Sequence, residues 1–500
     1  MGGEAIGVAL PGQRQPWPRA VVLVLAGWAL IAGARPDLIA LSSPEFMHDH
    51  ALLSIDIAIS RAFCDAPSKI SNTYRVPYEA RDHAELRARP VRDLLVERSG
   101  SVSQYCLTVG SPIVNNENSL MWVESLLFRL VPSLSLDGLA SWLHALRLAG
   151  LFAFGVLSLR LGAGLVVTAA MTVSALAVLA RLDALAITVY PMDFVCLLLS
   201  ATLAAAIAAR PAPRRNRAAV VLAITLGVLA AFGGNLRTSH WPLYAGLPLL
   251  ALLWSERAGG APLLLRAARL AVLIGAFAAG HTAFQRLAIE RHFVEGFGET
   301  AHHTTWHSTV IGLAIPPNAL SEREHLEWSD ESAWRLARSL DPSVRYISED
   351  YERLLRSYYV GLWERDRDRM LAVYALKLRT AGSQMIVALR NTPGADARWF
   401  GWVLRPAQRL PNGVFVLLVY VAFAAVGAWV IRRDQPAGWL ALMLSVTAIV
   451  VHLESVVITT LYVPQYHAFL AFAMLSASLA APVLLASAVW RGRQLGAVGR

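Results

Sequence analysis

Apolar runs set the plan of this chain. A bilayer-spanning helix needs about 20 mostly apolar residues. Ten stretches read as such helices: roughly 19–35, 137–159, 161–180, 184–209, 217–235, 241–255, 264–285, 411–431, 437–455 and 467–490. The sixth is short, and the seventh opens on Arg266 and Arg269. Two long segments interrupt the series, 36–136 and 286–410. Structureless loops of such length are uncommon without a role. The pattern predicts an all-α polytopic membrane protein, with about ten transmembrane helices and two long segments on one face. It divides the chain at 1–35, the cytoplasmic N-terminus and first transmembrane helix, and 36–136, a first outer loop with interfacial helices. A transmembrane bundle follows over 137–285, then an outer helical cap over 286–410, then the C-terminal transmembrane helices and cytoplasmic tail over 411–500. The flank Arg35-Pro36-Asp37 lacks the small residues of a signal cleavage site, so the first span is expected to stay attached.

Local patterns give each long segment its elements. Ser43, with Pro44 just inside, reads as a helix start leading into the apolar stretch Ala51 to Phe63. The run from Ser119 to Val131 is amphipathic, ends at Pro132 and is too short to span, which suits a helix lying in the interface plane. In the second segment, Ser321-Glu322-Arg323-Glu324 matches a capping box and predicts a helix to about Leu340. A second helix is expected to begin near Ser348 and carry Tyr351, Leu354, Leu355, Tyr358 and Tyr359. A third amphipathic stretch follows at about 364–390. These three make a small helical cap, not a large independent domain.

Composition agrees with the membrane reading. Hydrophobic residues are 56% of the 500 and charged residues only 16%, where a soluble chain carries about 25% charged. A soluble enzyme, a disordered scaffold and a secreted disulfide-rich module are thereby excluded. The net charge of +10 would suit nucleic acid, but its placement argues otherwise. With the N-terminus inside, the inner face receives fifteen arginines: 14, 19, 160, 210, 214, 215, 217, 257, 266, 269, 432, 433, 491, 493 and 500. The short outer loops receive only Arg181 and Arg237. That asymmetry is the positive-inside signature. The inner segments hold just three acids, Glu4, Glu256 and Asp434, which leaves them at +12 and the rest of the chain at −2. The basic balance is therefore an orientation signal, with no outward patch for nucleic acid. Both termini are expected in the cytoplasm, and a bacterial inner membrane is the expected location.

Polar groups in or beside a span are costly and usually have a task or a partner. Here they gather at the outer ends: Tyr190 and Asp193; Arg237, His240 and Trp241; His452, Glu454, Tyr462, Gln465, Tyr466 and His467. The inner ends show plain arginines. Arg237 and His240 can be read as phosphate ligands, since a guanidinium matches phosphate bidentately, or as anchors at the headgroups. Tyr466 and His467 fit the phosphate set or an interfacial aromatic belt. His144 and Arg147 read as interhelical hydrogen-bonding groups. His302, His303 and His307 tempt a metal reading, with His303 and His307 four apart, but no HExxH glutamate lies between them. A lipid-phosphate or acceptor contact and a structural role are the other readings. No P-loop, GxSxG, CxxC or dinucleotide fingerprint is present. Cys64 and Cys106 share the first outer loop and read either as a disulfide, in an oxidising space, or as two buried thiols. Cys196 lies in a span.

The chain resembles the GT-C class of integral-membrane glycosyltransferases. The likeness rests on an inside N-terminus, one span, a long outer loop with an early acid and an interfacial helix, a multi-span bundle and a late outer domain. Shorter stretches are similar to members of that class: His303-Thr304-Thr305-Trp306-His307-Ser308 with Gly312-Leu313, Arg237-Thr238-Ser239-His240, and Val463-Pro464-Gln465-Tyr466. The resemblance implies an acid shortly after the first span as catalytic base. Asp49, in His48-Asp49-His50, matches best, and Glu45 is the second choice. A helix N-terminal charge is the plain alternative for Asp49. No adjacent acidic pair stands at Asp49. The resemblance further implies a polyprenyl-phosphate-linked sugar donor, whose phosphate Arg237, His240, His307, Tyr466 and His467 would bind. His48, Glu117, Asp193, His303 and Trp306 would line the acceptor or donor pocket. Membrane lipids are the other expected partner. It demands no cofactor and leaves a divalent cation, Mg or Mn, open. A transporter or flippase for a lipid-linked or small polar solute is the rival reading. Against it, the two halves show no matched repeat with broken helices.

Overall fold

The protein was described from a computed structural model. It describes residues 45–64, 75–81, 83–107, 118–182, 189–209, 216–237, 240–257, 262–294, 305–346, 348–390, 413–433, 435–457 and 468–498. All of them belong to the unit Asp37–Arg500. The first predicted span, 19–35, and the helix start at Ser43 and Pro44 lie outside the described residues.

The described residues are overwhelmingly helical, and no β-strand occurs among them. The first long segment holds α1 (Glu45–Cys64), α2 (Arg75–Arg81), α3 (Ala84–Ala88), α4 (Val91–Ser99), α5 (Val102–Leu107) and α6 (Asn118–Leu130). The bundle follows as α7 (Leu136–Arg160), α8 (Gly164–Leu182), α9 (Val189–Ala208), α10 (Asn216–Leu236), α11 (Trp241–Arg257) and α12 (Leu263–Phe284). A π-helical turn, Gln285–Val294, extends α12. The second long segment holds α13 (Thr305–Gly312), α14 (Ala319–Arg323), α15 (Asp330–Leu340), α16 (Glu349–Arg365) and α17 (Arg367–Arg390). The chain closes with α18 (Gly413–Ile431), α19 (Ala437–Val457) and α20 (Ala468–Val498).

Among the described residues, six helices are long and apolar enough to cross a membrane: Leu136–Arg160, Val189–Ala208, Ala219–Leu236, Leu263–Glu290, Gly413–Ile431 and Ala437–Val457. Shorter apolar stretches, Gly164–Leu176, Trp241–Trp254 and Phe472–Ser487, lie in three further helices. The outward faces are apolar too, with Val221, Leu250, Val272 and Leu418 each 57–63% exposed. Such a surface suits hydrocarbon better than water. Several hydroxyls inside these helices close onto their own backbone, as Thr202 Oγ1 does on the Leu198 carbonyl at 2.6 Å and Thr447 Oγ1 on Met443 at 2.8 Å. That satisfies them where no water would.

Local rules explain the element ends. Ser135 caps α7, its hydroxyl accepting from the Gly138 N–H at 3.0 Å. At the other end Gly162 adopts φ +74°, and the N–H groups of Gly162 and Ala163 bond back to the Leu159 and Ser158 carbonyls. This is a Schellman stop, which asks for a left-handed residue at that point. α9 is the central helix: 17 of its 20 residues are buried, and it packs against α7, α11 and α19.

The first segment docks on one end of this bundle. α1 packs on α6 through Ile57, Ala58, Met121 and Trp122, and Cys64 and Cys106 are joined in a disulfide that ties α1 to α5. Trp122 meets Phe284 at the end of α12, ring centroids 5.4 Å apart. The second segment has its own small core, including Val310, Leu313, Ala333, Tyr351, Leu355 and Met370. Its last helix, α17, returns to the bundle, where Ala381 packs on Val456 of α19.

One predicted element is corrected. The helix expected from Ser321 to about Leu340 is two helices. Asn318 is the true cap: its side chain accepts from the Leu320 and Ser321 N–H groups, and Ser321 is its capping-box partner instead of the cap itself. α14 then ends at once, because His325 takes φ +52° and the N–H groups of His325 and Leu326 bond to the Glu322 and Ser321 carbonyls. Ser329 starts α15 afresh. The helix predicted near Ser348 begins there, with the Ser348 hydroxyl accepting from Tyr351 N–H at 3.2 Å.

Candidate functional site at one end of the helix bundle

Four helix ends converge on a buried charged cluster. Asp193 stands in the first turns of α9, Arg237 just beyond α10, His240 and Tyr244 at the start of α11, and Glu454 in the last turn of α19. His240 lies between two carboxylates: its Nδ1 is 2.9 Å from Asp193 Oδ2 and its Nε2 3.3 Å from Glu454 Oε2. Tyr244 donates its hydroxyl to Asp193 Oδ1 at 2.7 Å. Arg237 Nη2 is 3.9 Å from Glu454 Oε1. His240 and Arg237 thus stand against the two carboxylates, and such pairing is how buried charge becomes tolerable.

The sequence places these residues locally before the fold joins them. Leu236 closes α10 and the Arg237 N–H still bonds to the Gly233 carbonyl at 3.1 Å, while His240 N–H bonds to the Arg237 carbonyl at 3.1 Å. Arg237 and His240 thus both lie against Glu454. His240 and Tyr244 are four apart, one helical turn, so one face of α11 reaches Asp193 twice. A polar layer continues beside them: Asn235 Nδ2 donates to Gln285 Oε1 at 2.7 Å, and Trp241 Nε1 to His281 Nε2 at 3.4 Å. This is the end of the bundle where Trp122 meets Phe284 and Ala381 meets Val456, so both long segments gather around it.

Of the predicted residues, the structure brings Arg237, His240 and Asp193 together. His307 lies elsewhere, in the core of the second segment. Its Nδ1 is 2.6 Å from Tyr351 Oη, its Nε2 3.0 Å from Asp330 Oδ1, and its N–H donates to Glu352 Oε1 at 3.3 Å. Trp306 is half-buried beside it, donating its N–H to Glu352 Oε2 at 3.1 Å and facing the Tyr359 ring. Burial lifts Glu352 above the usual carboxylate range, against the pull of these two N–H groups. Nearby, burial acts to raise Glu324 as well. The Tyr358 hydroxyl, Arg323 and Arg365 outweigh it and hold Glu324 below that range.

Glu117, His303, Tyr466 and His467 lie outside the described residues. Glu45, His48 and Asp49 belong to the helical backbone of α1, with side chains outside the description. Asp56 and Glu124 are fully buried, as is Arg147 of α7. Burial, with the Asp56 charge second, pushes the Tyr105 hydroxyl far above its ordinary range. No group able to hold a metal ion occurs among the described residues.

Two residues of the site were not assigned roles from sequence. Glu454 stood out only as a polar group at a span end. Tyr244 was missed, although its place one turn after His240 was a readable signal. No family model, no curated protein and no solved structure matches the chain.

Proposed function

We propose that the chain is a polytopic membrane glycosyltransferase of the GT-C type, with about ten spans and both termini cytoplasmic. It moves a sugar from a polyprenyl-phosphate donor to a hydroxyl acceptor of the cell envelope, on the outer face of a bacterial inner membrane. The observation that carries this reading is the pair Arg237 and His240, held by buried carboxylates at the end of the bundle where both long segments meet. A disulfide in the first segment further supports an oxidising outer space for that end.

Sugar nucleotides do not cross hydrocarbon, so an outer-face transferase needs a lipid-carried donor. Such a donor needs cations at its phosphate and a carboxylate at the acceptor hydroxyl. Asp49 takes the hydroxyl proton as general base, with Glu45 as the second candidate. The acceptor oxygen bonds to the anomeric carbon as the bond to phosphate breaks, which inverts that centre. Arg237 and His240 offset the charge that builds on the leaving phosphate. Asp193 and Tyr244 hold His240 in place.

The test is transfer from a radiolabelled polyprenyl-phosphate sugar by the purified chain. Asp49→Asn is expected to abolish transfer while the protein still folds; unchanged turnover removes Asp49 from the mechanism. A second reading, a transporter or flippase, draws on one observation: a histidine bridging two buried carboxylates is also the arrangement of a proton relay. Mass spectrometry of surface glycans with and without the gene, paired with solute flux into proteoliposomes, separates the two. Flux with no glycosylated product favours the transporter.

A further inference from the structure

The Arg237–His240 pair already faces an anion, and its two carboxylates are held very differently. Asp193 accepts from Tyr244 at 2.7 Å and faces His240 at 2.9 Å, so its oxygens are engaged. Glu454 is held loosely. Oε2 is 3.3 Å from His240 Nε2, and Oε1 is 3.9 Å from Arg237 Nη2. The side chain is only 9% exposed, yet Oε1 has no hydrogen-bond partner among the described residues. Buried carboxylate oxygens normally find donors, and a guanidinium bonds carboxylate or phosphate oxygen at about 2.7–2.9 Å. Glu454 therefore occupies an anion's position without making an anion's full set of bonds. The neighbouring Leu453 and Val457 are 44% and 42% exposed, so this end of α19 reaches the surface.

Resting on the reading of Arg237 and His240 as phosphate ligands, we infer that Glu454 is a resident competitor, filling the empty anion site until a phosphate-bearing ligand displaces it. A phosphodiester carries one negative charge, as a carboxylate does, so the exchange preserves the charge balance of the pocket. Both anions also present oxygens that a guanidinium fork can take. Asp193 stays behind to orient His240. The division of labour is one fixed carboxylate and one exchangeable one.

Calorimetric titration of the detergent-solubilised full chain with dihexyl phosphate, a soluble phosphodiester, tests this. Glu454→Gln is expected to bind at least about tenfold tighter than the parent, because removing a competing occupant raises the fraction of open sites. Glu454→Asp, which keeps the charge but draws it back, is expected to tighten binding less, and it serves if the glutamine variant does not fold. Arg237→Gln is expected to weaken binding in every background. A parallel titration with inorganic phosphate separates the two sources of this chemistry: tightening with the diester assigns the exchange to a lipid headgroup, tightening with inorganic phosphate alone to the free ion. If the parent binds, Arg237→Gln loses binding, and neither Glu454 variant binds tighter, the competitor role is overturned while phosphate recognition stands. If no form binds either probe, both fall.

Discussion

Gly233 and Tyr244 are fitted to each other: a Cβ on Gly233 would clash with the edge carbons of the Tyr244 ring. That ring carries the hydroxyl that bonds to Asp193 at 2.7 Å. One hydrogen atom on α10 thereby sets the position of a group on α11 that holds a carboxylate on α9. Gly233→Ala is expected to push the ring aside, break the bond and destabilise the bundle by about 1–3 kcal/mol through overpacking. Thermal unfolding in detergent measures the loss. Gly246, where an added Cβ meets nothing within 4 Å, is the matched control.

Lys377 is fully buried in α17, its Nζ donating to the Gly312 carbonyl at 2.9 Å and lying 5.5 Å from the Tyr374 ring centroid. Burial lowers its pKa from 10.5 to about 7. Between those values the folded state holds fewer protons than the unfolded chain, so stability rises with pH from about 7 to about 10.5 and is independent of this group below. Lys377→Met is expected to flatten that rise and to stabilise the protein at neutral pH. Unfolding temperatures of both forms across this range check the slope. A variant profile as steep as the parent's rules Lys377 out as its source.

The same helix stop is built twice, once with Gly162 at φ +74° and once with His325 at φ +52°. A side chain in the left-handed region costs about 1–2 kcal/mol, and glycine carries no such cost. His325→Gly is expected to stabilise the second segment by about 1 kcal/mol, with the larger entropy of the unfolded glycine taking back part of the gain. A gain in the unfolding midpoint supports this; a drop shows that the His325 side chain contributes more than its backbone strain removes.

Much of the plan was legible in the chain because apolar periodicity is local. Within the described residues each predicted apolar stretch from 137 onward coincides with a helix, and the helix expected near Ser348 starts on that residue's hydroxyl. Arg237, His240 and Asp193 were legible as costly polar groups at span ends. The stop at His325 was not, since it sits where glycine or asparagine is the usual signal, and Ser321 mimicked a cap that Asn318 provides.

The sequence alone determined where the chain is apolar, where the long apolar helices form and which of their ends carry charge, because each depends on neighbours within a turn or two. Tertiary packing decided that His240 meets both Asp193 and Glu454, and that His307 meets Tyr351 and Asp330 in the second segment instead. Those pairings depend on which helix lies beside α9. That choice is made by the shapes of buried faces across the bundle, which no local spacing records.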